Sequence, residues 1–146
     1  MSDRGHVFIV DGDASSADTL QGLLQDDGYA VGSVSRGAEA LEGIAAAEPN
    51  LVLLDAHLDD VDPFELLEEL KQTQYGRDIP VIFMTPLEDT DARVKVLEVG
   101  DDLIVKPFES REVLARIERQ VTVSKVRMAL RESEAKFRSV MESAID

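Results

Sequence analysis

Five short runs rich in apolar and β-branched residues recur along the chain, and a segment with helical periodicity follows each one. The runs are His6–Val10, Ala30–Val34, Leu51–Leu54, Pro80–Met84 and Leu103–Val105. Leu20, Leu23 and Leu24 share one helical face over 15–27, and Gly28 follows as a stop. Ala38, Leu41, Ile44 and Ala45 form a second stripe over 37–47, ended by Pro49. In Asp62-Pro63-Phe64-Glu65, Asp suits the cap, Pro the first helical position and Glu the capping box; Phe64, Leu67 and Leu70 then continue as a stripe. Residues 89–99 read as a helix closed by Gly100, and Ser110 reads as the cap of a last helix through Val113, Leu114 and Ile117. Strands that alternate with helices at this spacing predict an α/β fold, a parallel sheet with helices on both faces and right-handed crossovers. The unbroken apolar run at Leu51–Leu54 suits a strand covered on both sides.

In such sheets, sites form where the strands end. The residues there are Asp11, Gly12 and Asp13 after the first run, Asp55 after the third, Thr85 after the fourth and Lys106 after the fifth. Converging carboxylates repel one another unless a cation lies among them, and a hard divalent ion such as Mg²⁺ suits oxygen ligands. An aspartate can attack a phosphoryl group, while an ammonium and a hydroxyl stabilise the charge on its oxygens. Taken singly, each residue has a plainer role: Asp13 as a helix cap, Thr85 as a turn residue, Lys106 as a solvated charge.

Composition narrows the class. Among 146 residues there is no Cys and there are only two His, which excludes a disulfide framework and a thiolate metal site. The net charge of −15 disfavours direct contact with nucleic acid or anionic lipid. No apolar run is long enough to span a membrane and the N-terminus has no signal-peptide core, so a cytoplasmic address is expected.

The order and spacing of Val10-Asp11, Leu51-Val52-Leu53-Leu54-Asp55, Pro80-Val81-Ile82-Phe83-Met84-Thr85 and Lys106-Pro107-Phe108 resemble the receiver domain of two-component response regulators, over residues 6–121. The resemblance implies a doubly wound, flavodoxin-like five-stranded sheet in order 2-1-3-4-5. It implies that Asp55 accepts phosphate from a sensor histidine kinase or a phosphotransfer protein. It further implies that Thr85 contacts the phosphoryl group, that Lys106 pairs with it, and that Lys106-Pro107 is a cis peptide. Mg²⁺ would bind among Asp11, Asp13 and Asp55. A receiver assists its own phosphorylation and is not a standalone enzyme.

Several positions depart from the family pattern. The paired acids after the first strand read Asp11-Gly12, so Mg²⁺ is expected to be held weakly unless Asp13, one residue on, reaches inward past flexible Gly12. Pro63 replaces the usual Gly before the third helix, Pro86 follows Thr85 and removes an N–H, and Leu103 stands where an aromatic switch residue is common. These departures leave a pseudo-receiver, a phosphate-independent interaction module, as the alternative. His57, two residues past Asp55, lies where the family tunes phosphoaspartate hydrolysis; simple exposure is the plainer expectation. A more distant alternative is a haloacid-dehalogenase-like phosphatase using Asp11 and Asp13, because Asp11-Gly12-Asp13-Ala14-Ser15 is similar to its nucleophile loop. The immediate helix start leaves no room for that family's hairpin, and its pattern does not account for Asp55 or Lys106.

Residues 122–146 form a second unit. Val123, Val126, Leu130, Ser133, Phe137, Val140 and Ala144 recur in steps of three and four, a heptad seam flanked by charges. The last domain helix is expected to run on into this segment and to pair in a parallel homodimer through Val123, Val126, Leu130, Phe137 and Val140. The stretch Leu130–Arg138 resembles the lead-in to a PAS domain, which predicts an output module, PAS or histidine kinase, beyond Asp146.

Overall fold

The computed structural model describes residues 4–145; Met1–Asp3, at the start of the expected domain, and Asp146, at the end of the expected linker, lie outside it. The elements run β1 (His6–Val10), α1 (Ala14–Asp26), β2 (Ala30–Val34), α2 (Ala40–Ala47), β3 (Leu51–Asp55), α3 (Pro63–Gln72), β4 (Val81–Pro86), α4 (Thr90–Val99), β5 (Asp102–Lys106) and α5 (Ser110–Ile145). The strands form one sheet in the order β2-β1-β3-β4-β5, all neighbours parallel. This is the expected doubly wound fold with an added C-terminal helix.

Side chains alternate across each strand and divide the core in two. Val7, Ile9, Leu51, Leu53, Ile82, Met84 and Ile104 pack against Leu20 and Leu24 of α1 and Val113, Ile117 and Val121 of α5. Phe8, Val10, Val52, Leu54, Val81 and Phe83 pack on the other face against Ile44, Leu66, Leu67, Leu70 and Val96 of α2, α3 and α4. Every residue of β3 is buried, as its continuous apolar run requires.

Carboxylates shift several element boundaries. Asp13 caps α1, so the helix starts at Ala14. The stripe over 37–47 opens with a 3₁₀ turn at Gly37–Glu39, because Asp60 accepts the N–H groups of Gly37 and Ala38, each at 3.0 Å. Those bonds hold the Asp60 carboxyl below the usual carboxylate range. A side chain at Gly37 would collide with Val61, its Cβ falling 2.1 Å from Val61 Cγ2. Asp62 takes the Phe64 N–H at 2.9 Å, with Pro63 in the first turn as expected. At α5 the expected cap moves by one residue: Ser110 is already helical, and the Glu109 carboxylate accepts the Glu112 N–H at 2.7 Å. β4 extends past Met84 because Thr85 and Pro86 still pair with Val105 and Lys106.

α5 runs unbroken for 36 residues, the single long helix that was expected. Its first part packs on the sheet as far as buried Val121 and Ser124, and Met128 touches the second core cluster. Polar contacts then fasten its base at the edge where the strands begin. Lys125 donates to the Arg4 carbonyl at 2.8 Å, Arg127 lies 4.0 Å from Asp101, and Arg131 pairs with Asp78. Half-buried Lys71, whose ammonium pKa desolvation pushes down, donates to the Ile79 carbonyl beside the same Asp101. No helix among the described residues is long and apolar enough to cross a membrane.

Candidate functional site

The parallel sheet brings the last residues of β1, β3, β4 and β5 to one rim, where Asp11, Asp55, Thr85 and Lys106 meet. Asp11 follows β1 directly and is held by its N–H to the Val34 carbonyl at 3.2 Å. Its buried carboxylate accepts the Asp13 N–H at 2.9 Å through Oδ1. Lys106, from the far side of the sheet, extends its Nζ to 3.2 Å from Asp11 Oδ2 and 3.8 Å from Asp55 Oδ2. Asp55 ends β3, and its Oδ1 accepts the His57 N–H at 3.0 Å. Thr85 is fully buried. The Lys106-Pro107 bond is cis, as expected.

Burial pushes the Asp11 carboxyl above its ordinary range, and the neighbouring Asp55 carboxyl adds to the rise while the Asp13 N–H and Lys106 oppose it. Two buried acids therefore share one ammonium, an arrangement one positive charge short of neutrality. That is a site able to accept a cation, and Mg²⁺ is commonly held by one or two carboxylates together with phosphate oxygens and water. Asp11 and Asp55 fit that requirement.

The expected third ligand does not join them. Asp13 Oδ1 accepts the Ser15 N–H at 3.0 Å and the Ser16 N–H at 3.4 Å, and Oδ2 accepts the Ser16 hydroxyl at 3.3 Å. These bonds lower its pKa and commit the carboxylate to the open N–H groups of α1. Gly12 has no side chain to substitute. Among the described residues no group of three or more acids or histidines is arranged around a metal position. The same commitment removes Asp13 from the proton-transfer role that the phosphatase alternative needs. Asp13→Asn keeps a capping oxygen and is expected to leave Mg²⁺ affinity unchanged within about twofold, since an Asn cap is equivalent to Asp; a Mg²⁺ titration followed by NMR shifts of the rim amides checks this.

Backbone donors are scarce at the rim. Pro86, next to Thr85, has no N–H, and the Ala56 N–H is bound to the Met84 carbonyl at 2.9 Å. His57 is exposed, as expected, yet its ring is also engaged. Its Nε2 lies 3.2 Å from Thr85 Oγ1 and 3.0 Å from Asp89 Oδ2. Asp89 was legible only as the start of α4, which it caps through the Ala92 N–H at 3.0 Å. The tie between His57 and Asp89 spans two loops distant in sequence, and no local pattern signals it.

A model of the response regulator receiver domain matches residues 7–118. The chain belongs to the response regulator receiver family. The receiver is 39% identical over 119 residues to the transcriptional regulatory protein GltR of Pseudomonas aeruginosa, covering 80% of this chain and 49% of that protein. It is 36% identical over 115 residues to the transcriptional regulatory protein CreB of Escherichia coli, covering 78% of this chain and 49% of that one. The chain thus spans about half the length of the curated relatives it matches. The crystal structure of the signal receiver domain of a signal transduction histidine kinase from Syntrophus aciditrophicus superposes with a TM-score of 0.73 at 30% identity, covering 81% of this chain and 90% of that one.

Proposed function

We propose that the receiver accepts a phosphoryl group on Asp55 from a phosphohistidine of a sensor kinase or phosphotransfer protein. An Asp55 carboxylate oxygen forms the new bond to phosphorus as the P–N bond breaks, and the departing imidazole takes up a proton. The observation that carries this reading is the Lys106 ammonium, poised between Asp11 and Asp55 at 3.2 and 3.8 Å. It neutralises charge that builds on the phosphoryl oxygens during transfer, and the Thr85 hydroxyl adds a donor. Mg²⁺ held by Asp11 and Asp55 would supply further positive charge to the same oxygens.

Incubation with acetyl phosphate and Mg²⁺, followed by intact mass measurement, tests this. One phosphoryl adduct is expected, and Asp55→Asn is expected to abolish it. An unmodified wild-type protein, or an adduct that survives Asp55→Asn, would favour the pseudo-receiver.

Residues 1–121 act in this reading as the receiver and 122–146 as a helical connector to an output module. Relatives of twice the length are named transcriptional regulators, whereas the Syntrophus receiver comes from a histidine kinase. The resemblance of Leu130–Arg138 to a PAS lead-in favours a sensory output here. The strongly acidic receiver itself does not contact nucleic acid.

The connector pairs with a second copy of itself. Val126, Leu130, Phe137 and Val140 are exposed, while Val123 is half-buried. At about 100° per residue these positions lie opposite Ile117, Val121, Ser124 and Met128, the stripe used against the domain. An apolar seam thus remains open while α5 stays docked. Leu130→Asp with Phe137→Asp is expected to turn a dimer into a monomer, weakening association by at least about 100-fold given the loss of two core seam positions. Sedimentation velocity checks it, and a wild-type monomer at high concentration would reject the pairing.

A further inference from the structure

His57 Nε2 faces two oxygens at once, Asp89 Oδ2 at 3.0 Å and Thr85 Oγ1 at 3.2 Å. A carboxylate only accepts, so Nε2 carries a proton whatever the charge on the ring. A protonated Nε2 has no lone pair to offer, so the Thr85 oxygen is an acceptor in this contact. The Thr85 hydroxyl then keeps its own proton for another acceptor. The rim needs such a donor, because Pro86 has no N–H and the Ala56 N–H is already bound to Met84.

We propose that Asp89 and His57 are positioning residues for Thr85. Asp89 holds the imidazole with its proton on Nε2, His57 donates that proton's hydrogen bond into Thr85 Oγ1, and Thr85 is left as a donor to the phosphoryl group on Asp55. This deepens the phosphoacceptor reading and rests on it. It also joins the site to α4: Asp89 binds His57 through Oδ2 while Oδ1 caps that helix at the Ala92 N–H. A change in the hydrogen bonding of Thr85 is therefore felt at the α4 N-terminus.

Two measurements test the relay on the whole chain. Nitrogen-15 NMR of labelled histidine reads the tautomer without any phosphorylation. The neutral ring of His57 is expected in the Nε2–H form, and Asp89→Asn is expected to shift it toward a mixture. The rate of adduct formation from acetyl phosphate gives the second readout. Asp89→Asn and His57→Phe are each expected to slow it about tenfold, the scale of one lost hydrogen bond. Neither is expected to slow it further in a Thr85→Ala background, because both act through that hydroxyl. An Nδ1–H tautomer in the wild type overturns the relay, and so do effects that multiply with Thr85→Ala. If no adduct forms in any variant, the phosphoacceptor reading fails and the Thr85 donor role with it; the tautomer result then still decides whether Asp89 orients His57.

Discussion

Lys106→Met is expected to cut the rate of Asp55 phosphorylation by about 100-fold or more, the usual scale when one charge-stabilising donor is lost from a reacting centre. The ammonium is the only cationic side chain hydrogen-bonded to Asp11 and the one that reaches Asp55 among the described residues. Its loss leaves two buried carboxylates facing each other. Stripping one partner from a buried ion pair destabilises by about 3–5 kcal/mol, much of it the penalty for the uncompensated charge left behind. The two consequences are separable. Adding Asp11→Asn to Lys106→Met removes one of the repelling acids and is expected to restore most of the lost stability, while phosphorylation stays low. Urea unfolding and adduct kinetics on the single and double variants check both parts. A Lys106→Met protein that is phosphorylated at the wild-type rate would remove the charge argument for this site.

The second large effect is on the fold. Phe83→Ala is expected to cost about 3–5 kcal/mol, the range for deleting a buried aromatic ring. Phe83 is fully buried in β4 and stacks on Phe64 of α3 with ring centroids 4.9 Å apart. A Cβ added at Gly100 would lie 2.9 Å from the Phe83 ring, so the chain between α4 and β5 closes directly over it. Removing the ring therefore loosens α3 and the end of α4 together. Against a total stability of about 5–15 kcal/mol, a loss of that size is a large fraction. Urea denaturation should show the midpoint fall with little change in slope, since the same surface is exposed on unfolding.

The strands were legible because burial on both faces leaves an unambiguous apolar run, as at Leu51–Leu54. So were Asp55, Thr85 and Lys106, since each follows a strand and parallel strands end at one rim. What local pattern misread was the allegiance of carboxylates. Asp13 had two uses within reach, the site and the helix, and the open N–H groups of α1 took it. Glu109, not Ser110, satisfies the start of α5, and Asp60 converts the start of the second stripe into a 3₁₀ turn. His57 is exposed as expected, but its contacts were not legible, because Thr85 and Asp89 come from the next strand and the loop after it. Side chains that serve a distant element leave no periodic trace in their own segment.

α5 descends antiparallel to the strands and leaves the domain at the edge where they begin. Thr85 and Lys106 stand at the far ends of β4 and β5, about 17 Å away at some 3.3 Å per strand residue. Asp101 immediately precedes β5 and Asp78 lies three residues before β4, and there they pair with Arg127 and Arg131 of α5. Each of these two strands thus has one end at the rim and the other beside a carboxylate that pairs with α5. Beyond these two ion pairs the apolar residues Phe137 and Val140 are exposed, so the last turns of α5 take no support from the domain and depend on whatever else covers them.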